Sequence, residues 1–189
     1  MKNKGVLYVI SGPSGVGKGT ICKELIKRNP KLSVSVSATT RKPRCEDSEG
    51  VTYFFKSEEE FREMIEDNKF LEWAVYNGNY YGTPREAVEK SLENGCDIIL
   101  EIDVQGALNV KTSFDGGVLI FIAPPNENAL YERLRGRGTE NEEEISERIG
   151  AAKKELELKN KYDYVVINDC VDDAVLEIEK IMKKETSAL

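Results

Sequence analysis

The feature that most constrains the fold is a glycine-rich segment that follows an apolar run and opens a helical pattern. It consists of Gly12, Pro13, Ser14, Gly15, Val16, Gly17, Lys18, Gly19 and Thr20. Glycines let the backbone N–H groups turn inward around a polyphosphate, and the start of a helix adds partial positive charge. Lys18 brings a full positive charge to the phosphates. The order strand, loop, helix therefore predicts a phosphate-binding loop.

Apolar runs and helical patterns alternate along the rest of the chain. Strands are predicted at Val6–Ile10, Ser33–Ser37, Ile98–Ile102, Val118–Ala123 and Tyr164–Ile167. Helices are predicted near 17–28, 85–94, 104–112, 126–136, 142–160 and 171–184. Several of these strands are almost continuous in Val, Ile and Leu, which is typical of strands buried on both faces. The pattern predicts an α/β fold, a P-loop-type parallel sheet flanked by helices, in a single domain of residues 5–184.

Two segments interrupt this rhythm. Residues 38–84 contain short aromatic stretches bounded by Gly and Asn, which predict a small separate mixed β subdomain. Ser57 and Glu60 predict a capping box for a helix near 58–67, and Thr83-Pro84 predicts another cap with proline at the first helical position. The charged tract from Arg133 to Arg148 fits a solvated helix pair or a mobile helical lid, at about 126–150. The core would then comprise about 1–37, 85–125 and 151–189.

Composition excludes several classes of protein. The chain has 189 residues, a net charge of −7 and no histidine, which removes His-based triads and His metal sites. An acidic chain is a poor candidate for binding nucleic acid or an anionic membrane. Its apolar runs are too short for a membrane span or a signal peptide. The four cysteines form no CxxC pair, which favours a reduced, cytoplasmic location. A monomer and a homodimer both remain open.

The position after Lys18 departs from the usual phosphate-loop pattern. Serine or threonine normally follows the lysine and holds Mg²⁺, but here Gly19 follows and Thr20 comes one residue later. We therefore expect Mg²⁺ to be held mainly by the nucleotide phosphates and water.

Three further segments make the pattern specific. They are Ser37 to Arg44, then Phe70 to Trp73 with Asn79 to Thr83, then Glu101 to Gly106. Together with the phosphate loop, and in the same order, they resemble the guanylate kinase family, bacterial type, over residues 5–184. The resemblance implies transfer of the γ-phosphoryl of MgATP to GMP or dGMP, within purine nucleotide metabolism.

The resemblance implies an acceptor site on the inserted subdomain. Arg41, Arg44, Tyr53 and Tyr81 would bind the GMP phosphate, since guanidinium forks and phenolic hydroxyls suit a phosphate dianion. Glu72 would accept hydrogen bonds from the N1–H and the 2-amino group of guanine, a donor pair that adenine lacks, helped by Ser37 and Thr83. From the residues alone, surface arginines, core tyrosines and an outward-facing Glu72 on a half-buried strand are the alternatives.

The resemblance also assigns the donor side. Asp103 would lie near the guanosine and Glu101 near the metal and its waters; their alternate positions predict one face of a strand. Arg133 and Asn168 would lie near the adenine. Arg137 and Arg148 would close over the donor phosphates and join Lys18 and Arg41 as catalytic residues.

Two other functions compete with this interpretation. One is a guanylate-kinase-like scaffold domain that binds proteins without catalysis; such domains typically lose parts of the phosphate loop or lid, which this chain keeps. The other is a different small-molecule kinase with the same fold, such as an adenylate kinase or a ribosyl-phosphate kinase. Glu72 and the Arg41/Arg44 pair argue against it.

Overall fold

The computed structural model describes residues 4–45, 47–76, 78–136 and 141–187. The strands are β1 Leu7–Ser11, β2 Ser33–Val34, β3 Ser37–Thr39, β4 Tyr53–Phe55, β5 Phe70–Tyr76, β6 Asn79–Pro84, β7 Ile98–Glu101, β8 Gly117–Ala123 and β9 Tyr164–Ile167. The α-helices are α1 Lys18–Arg28, α2 Glu58–Glu66, α3 Arg85–Glu93, α4 Val104–Ser113, α5 Glu127–Arg135, α6 Glu142–Glu157 and α7 Val171–Ser187. A short 3₁₀ helix, Leu158–Lys161, follows α6.

The larger sheet has the strand order β2-β7-β1-β8-β9, and every pair in it is parallel. Its central strand β1 is buried on both faces, which its uniformly apolar sequence predicts. Tyr8 and Ile10 face the side covered by α1 and α7, whereas Leu7 and Val9 face the side covered by α3 and α4. The predicted α/β fold class is confirmed. The carboxyl ends of β1 and β7 lie side by side, with Ile10 opposite Glu101.

The smaller sheet is mixed and has the order β4-β3-β6-β5. Its strands β3 and β4 are parallel, and the other pairs are antiparallel. The prediction of one strand over Ser33–Ser37 is wrong, because the chain changes sheets there. The N–H of Ser35 still bonds the carbonyl of Ile99 at 2.9 Å, but Ser37 pairs with Tyr53 in the smaller sheet. Alternation of side chains looks the same in both sheets, so it gives no sign of the change.

Helix α4 joins the two sheets at β5. The Ser113 hydroxyl donates to the Leu71 carbonyl at 2.8 Å, and the Asn109 side-chain amide donates to the Trp73 carbonyl at 3.4 Å. These two carbonyls flank Glu72 on β5. The strand is thus hydrogen-bonded to α4 on both sides of that residue.

The predicted helix starts have different outcomes. The capping box of Ser57 and Glu60 is confirmed at the start of α2. The cap predicted at Thr83-Pro84 is wrong, because α3 begins at Arg85 and no side chain caps it. The Thr83 hydroxyl instead donates to Glu72. Because its hydroxyl is bonded to Glu72, Thr83 does not cap the backbone N–H groups at the start of α3.

The charged tract contains two packed helices. Leu130 and Leu134 of α5 are buried against Ile145 and Ala152 of α6. Asn141 and Glu144 form a capping box at the start of α6. Arg137 and the rest of 137–140 lie outside the described residues. Within the described ranges, no helix is long and apolar enough to span a bilayer.

Candidate active site

The glycine-rich segment forms a tight loop between β1 and α1. Gly12 has φ +148°, and a Cβ there would lie 2.2 Å from the carbonyl oxygen of Ile122. Gly17 has φ +97°, and a Cβ there would lie 2.6 Å from the side-chain nitrogen of Asn168. Only glycine fits both the backbone angles and the space at these positions. Because α1 begins directly at Lys18, its unpaired N–H groups face the loop.

The Lys18 ammonium lies within this loop. Its Nζ donates to the carbonyl of Gly12 at 2.6 Å and to the carbonyl of Pro13 at 3.2 Å. Burial lowers the pKa of Lys18, and the negative charge of Glu101 opposes that shift. Two backbone carbonyls therefore hold the ammonium group in the loop, where the oxygens of a phosphate group could replace them as its hydrogen-bond acceptors.

Arg133 and Asn168 support the loop from behind. The Asn168 side-chain amide donates to the Val16 carbonyl at 2.8 Å, and Arg133 Nη1 donates to the same carbonyl at 3.3 Å. Arg133 Nη2 also donates to the Asn168 carbonyl at 2.8 Å. Their nitrogens are thus hydrogen-bonded to backbone carbonyls. The resemblance implied positions near the adenine for Arg133 and Asn168, and their contacts with the loop are an addition to that expectation.

Helix α6 brings two side chains to the phosphate loop. Arg148 Nη1 lies 3.1 Å from the Ser14 hydroxyl. The carboxylate of Glu155 lines the same cleft as Ser14, and burial raises its pKa, a shift that the charge of Lys18 partly opposes. Sequence reasoning missed Glu155. Its only sequence signal is its position seven residues after Arg148, which places both on one face of α6.

A cleft of about 360 Å³ opens between the phosphate loop and the smaller sheet. Of the residues predicted from sequence, it is lined by Gly12, Ser14, Lys18, Ser37, Tyr53, Glu72, Tyr81, Glu101 and Asp103. Tyr76, Gly82, Ile102 and Glu155 line it as well, without having been predicted. The carboxyl ends of parallel strands are where α/β folds bind ligands, and this cleft lies there.

Glu72 is a buried acid in the wall of this cleft. Its side chain is on β5, the residue is only 7% exposed, and its Oε1 accepts a hydrogen bond of 2.7 Å from the Thr83 hydroxyl. Burial raises the pKa of Glu72 to about 7, and the charge of Asp103 adds to the shift. The outward-facing alternative for Glu72 is therefore wrong. A buried carboxylate with one hydrogen-bond donor can accept more from a ligand.

Arg41 is held beside the aromatic wall. Its Nη1 lies 2.9 Å from Asp47 Oδ2, and its guanidinium lies 5.3 Å from the centre of the Tyr53 ring. Tyr81 meets Tyr53 edge to face, with ring centres 6.0 Å apart. Asp47 also accepts from the N–H of Arg44 at 2.7 Å, while the residue Arg44 is exposed. Sequence reasoning missed Asp47, whose only signal is an acid three residues after Arg44.

Glu101 and Asp103 lie in the cleft but not on one strand face. Glu101 is the last residue of β7, whereas Asp103 precedes α4 and caps it by accepting from the Gly106 N–H at 2.9 Å. The predicted shared strand face is wrong, because the helix begins as soon as the strand ends. The residue Glu101 is exposed to solvent through the cleft. Partial desolvation of its carboxylate by the surrounding protein nevertheless raises its pKa, and the positive charge of Lys18 opposes that shift.

Comparison with known proteins agrees with this arrangement. The family model described as guanylate kinase matches residues 4–185. The chain belongs to the guanylate kinase family. A guanylate kinase of Caldanaerobacter subterraneus subsp. tengcongensis is 57% identical over 98% of this chain and 90% of its own length. One from Shouchella clausii is 55% identical, covering 97% of this chain and 90% of the relative.

A solved guanylate kinase structure has the same fold. The crystal structure from Anaplasma phagocytophilum superposes with a TM-score of 0.79 at 31% identity, covering 97% of this chain and 87% of that one. The guanylate kinase family therefore accounts for residues 4–185 of the chain.

Proposed function

We propose that the chain transfers the γ-phosphoryl group of MgATP to GMP, and to dGMP, giving ADP and GDP. The observation that carries this proposal is the cleft in which a phosphate loop faces a buried carboxylate, that of Glu72. A loop of this kind suits a nucleoside triphosphate, and a carboxylate suits the two adjacent donors of guanine. Such a reaction belongs to cytoplasmic purine nucleotide metabolism and GMP recycling.

On the donor side, we assign the ATP phosphates to Gly12–Thr20. Lys18 would leave the carbonyls of Gly12 and Pro13 and donate to the β- and γ-phosphates, as the lysine of a phosphate-binding loop does. Arg148 is positioned at Ser14 and would add positive charge at the transferring group. Arg137 is proposed for the same role from the family resemblance alone. Arg133 and Asn168 would support the loop beside the adenine.

On the acceptor side, we assign the GMP phosphate to Arg41, Arg44, Tyr53 and Tyr81. The ion pair with Asp47 orders the Arg41 guanidinium before any ligand arrives, which lowers the entropic cost of binding.

The guanine edge is assigned to Glu72. Its Oε1 already accepts from Thr83, so the carboxylate is oriented before binding. Ser37 and Asp103 line the same cleft and would contact the rest of the nucleoside.

The reaction requires little base catalysis. The second pKa of a phosphomonoester is about 6, so the attacking phosphate oxygen of GMP is largely ionised at neutral pH. Holding the two phosphates in line and neutralising their charge then supplies most of the rate enhancement. A chain without histidine suits this mechanism.

The residues present suit a magnesium ion that arrives with ATP. Among the described residues, no group of three metal-ligating side chains forms a protein-only site. The Glu101 carboxylate faces Gly19, where a Cβ would lie 3.4 Å from its Oε1. We propose that Glu101 binds water molecules of a phosphate-bound Mg²⁺, which would neutralise charge on the transferring group.

The test is an ADP-release assay with MgATP and, separately, GMP, dGMP, AMP, CMP and UMP. Turnover confined to GMP and dGMP is expected. Turnover with another monophosphate would keep the phosphate-loop assignment and contradict the base site. Binding of GMP without turnover would favour a scaffold function instead.

The KM for GMP should depend on pH through Glu72. The carboxylate accepts both guanine donors only when ionised, and its pKa is raised to about 7. The ionised fraction therefore rises with pH, and the KM should fall by about fourfold between pH 6.5 and pH 8. Initial rates in constant ionic strength buffers measure this. Glu72→Gln should lose the Glu72 part of the profile, leaving only the titration of the GMP phosphate; a profile identical to wild type would contradict the assignment.

Removing the charge of Asp47 should loosen Arg41. In Asp47→Asn the guanidinium loses its ion pair of 2.9 Å, and we expect the KM for GMP to rise by about three- to tenfold while the KM for MgATP is unchanged. Steady-state kinetics with each substrate varied in turn measure both values. Asp67→Asn, which removes an exposed ion pair to Lys69 on the same subdomain, is the control. Equal KM values for GMP in wild type and Asp47→Asn would show that Arg41 does not need Asp47.

A further inference from the structure

Gly106 lies in a helix, and its backbone conformation does not require glycine. It is the third residue of α4, its φ lies outside the left-handed region, and the residue is buried. Alanine is the better helix former at such a position. A glycine inside a helix therefore indicates a close approach by another group.

The group that approaches is the carboxylate of Glu72. A Cβ at Gly106 would lie 2.8 Å from Glu72 Oε2 and 3.4 Å from its carboxyl carbon. Real side chains do not tolerate the shorter of these distances, so any side chain at this position would displace the acid. The recess that receives Oε2 exists because Gly106 has no side chain.

The acid cannot avoid a clash by moving its strand. The Leu71 and Trp73 carbonyls, on either side of Glu72, accept hydrogen bonds from Ser113 and Asn109 of α4. Asn109 and Ser113 follow Gly106 by three and seven residues, so all three face β5 from one side of the helix. These two hydrogen bonds, of 2.8 and 3.4 Å, oppose a shift of the strand, so the end of the Glu72 side chain is the group that moves most easily.

We propose that Gly106 is a specificity-determining positioning residue. By leaving the recess open, it lets Glu72 Oε2 take the place from which the carboxylate meets both donors of guanine, while Thr83 holds Oε1 at 2.7 Å. The assignment rests on the proposed function of Glu72 as the guanine acceptor. Gly106 touches no substrate itself and acts through the acid.

Gly106→Ala tests this with two nucleotides that differ by one group. Inosine monophosphate has the same ring as GMP but lacks the 2-amino donor. A displaced carboxylate should lose the contact with that donor, so the ratio of kcat/KM for GMP to that for inosine monophosphate should fall by about tenfold or more. The loss should appear in the KM for GMP, with the KM for MgATP unchanged. An unchanged ratio would overturn the proposal, whether both nucleotides keep their wild-type kcat/KM or lose it equally. Equal losses would indicate a merely structural role for Gly106.

Thermal unfolding gives a second readout that needs no turnover. In Glu72→Ala the recess is vacant, so Gly106→Ala should raise Tm more in that background than in the wild type. Gly150→Ala is the control for adding a methyl group to a helix, because, beyond the glycine's own stretch of helix, no atom of the described residues lies within 4 Å of the Cβ position at this exposed glycine.

Gly106→Ala and the double variant with Glu72→Ala still test the proposal if the single variant fails to fold. If Gly106→Ala alone does not fold, the double variant should, since the clash is then absent. An equal Tm shift in both backgrounds, or a double variant that stays unfolded, would overturn the close approach. Absence of GMP turnover in the wild type would instead contradict the proposed function, and the Tm coupling would still be measurable.

Discussion

Replacing Lys18 by alanine is expected to lower kcat by about 10³-fold, because one preorganised charge at the transferring phosphate supplies much of the rate. Its Nζ lies inside the phosphate loop, bonded to Gly12 and Pro13, and no water could restore a full positive charge there. The fold should survive, since burial already lowers the pKa of Lys18 and so disfavours its charged form. Single-turnover kinetics at saturating MgATP and GMP measure the step directly.

A surface lysine on the same helix provides the control for Lys18. Lys27 has a side chain that is 77% exposed and forms an ion pair with Glu24 at 3.5 Å. Lys27→Ala should leave kcat within about twofold of the wild type, as expected for an exposed ion pair. A Lys18→Ala variant that kept a tenth of the wild-type kcat would remove the lysine from the catalytic assignment.

Replacing Glu72 by alanine is expected to change base choice more than the fold. Two charge-assisted hydrogen bonds to guanine would be lost, so kcat/KM for GMP should fall by about 100-fold or more. AMP, which never made those bonds, should lose far less, and the preference for GMP over AMP should narrow accordingly. Competition between GMP and AMP for limiting MgATP measures the ratio of kcat/KM values.

Stability separates this effect from damage to the smaller sheet. Glu72 is buried and its pKa is raised to about 7, so ionising it near neutral pH costs folding free energy. Glu72→Ala should therefore unfold at the wild-type temperature or above it. Glu66→Ala, an exposed acid at the end of α2, is the matched control for loss of a glutamate. An unchanged preference for GMP over AMP in Glu72→Ala would contradict the assignment of Glu72 to the guanine base.

The larger sheet could be predicted from sequence because its strands are buried on both faces. Continuous Val, Ile and Leu runs, such as β1 and β8, have few other ways to exclude water. The phosphate loop could be predicted because its glycines serve backbone angles and close contacts that no other residue permits, as at Gly12 and Gly17. In both cases a local pattern contains the physical reason for the structure.

Contacts between distant segments could not be predicted in this way. The Asn168 side-chain amide donates to the Val16 carbonyl, 152 residues away along the chain, and neither residue type is unusual at its position. The Arg41–Asp47 ion pair spans only six residues, yet no local pattern of residue types indicates it either. The change of sheet after Ser35 is similar, because hydrogen-bond partners, and not side-chain pattern, decide it. Such pairings become visible only when the chain is folded.

The first turn of helix α4 links two acids of the proposed acceptor site. Through one residue, Gly106, it packs against the acid that would bind the base and donates to Asp103, which lines the same cleft and would contact the rest of the nucleoside. The connection between these two acids is therefore one residue long and contains no flexible loop. We expect a change in this turn to disturb both acids at once, so that contacts with the base and with the rest of the nucleoside are lost together and the KM for GMP reports their sum.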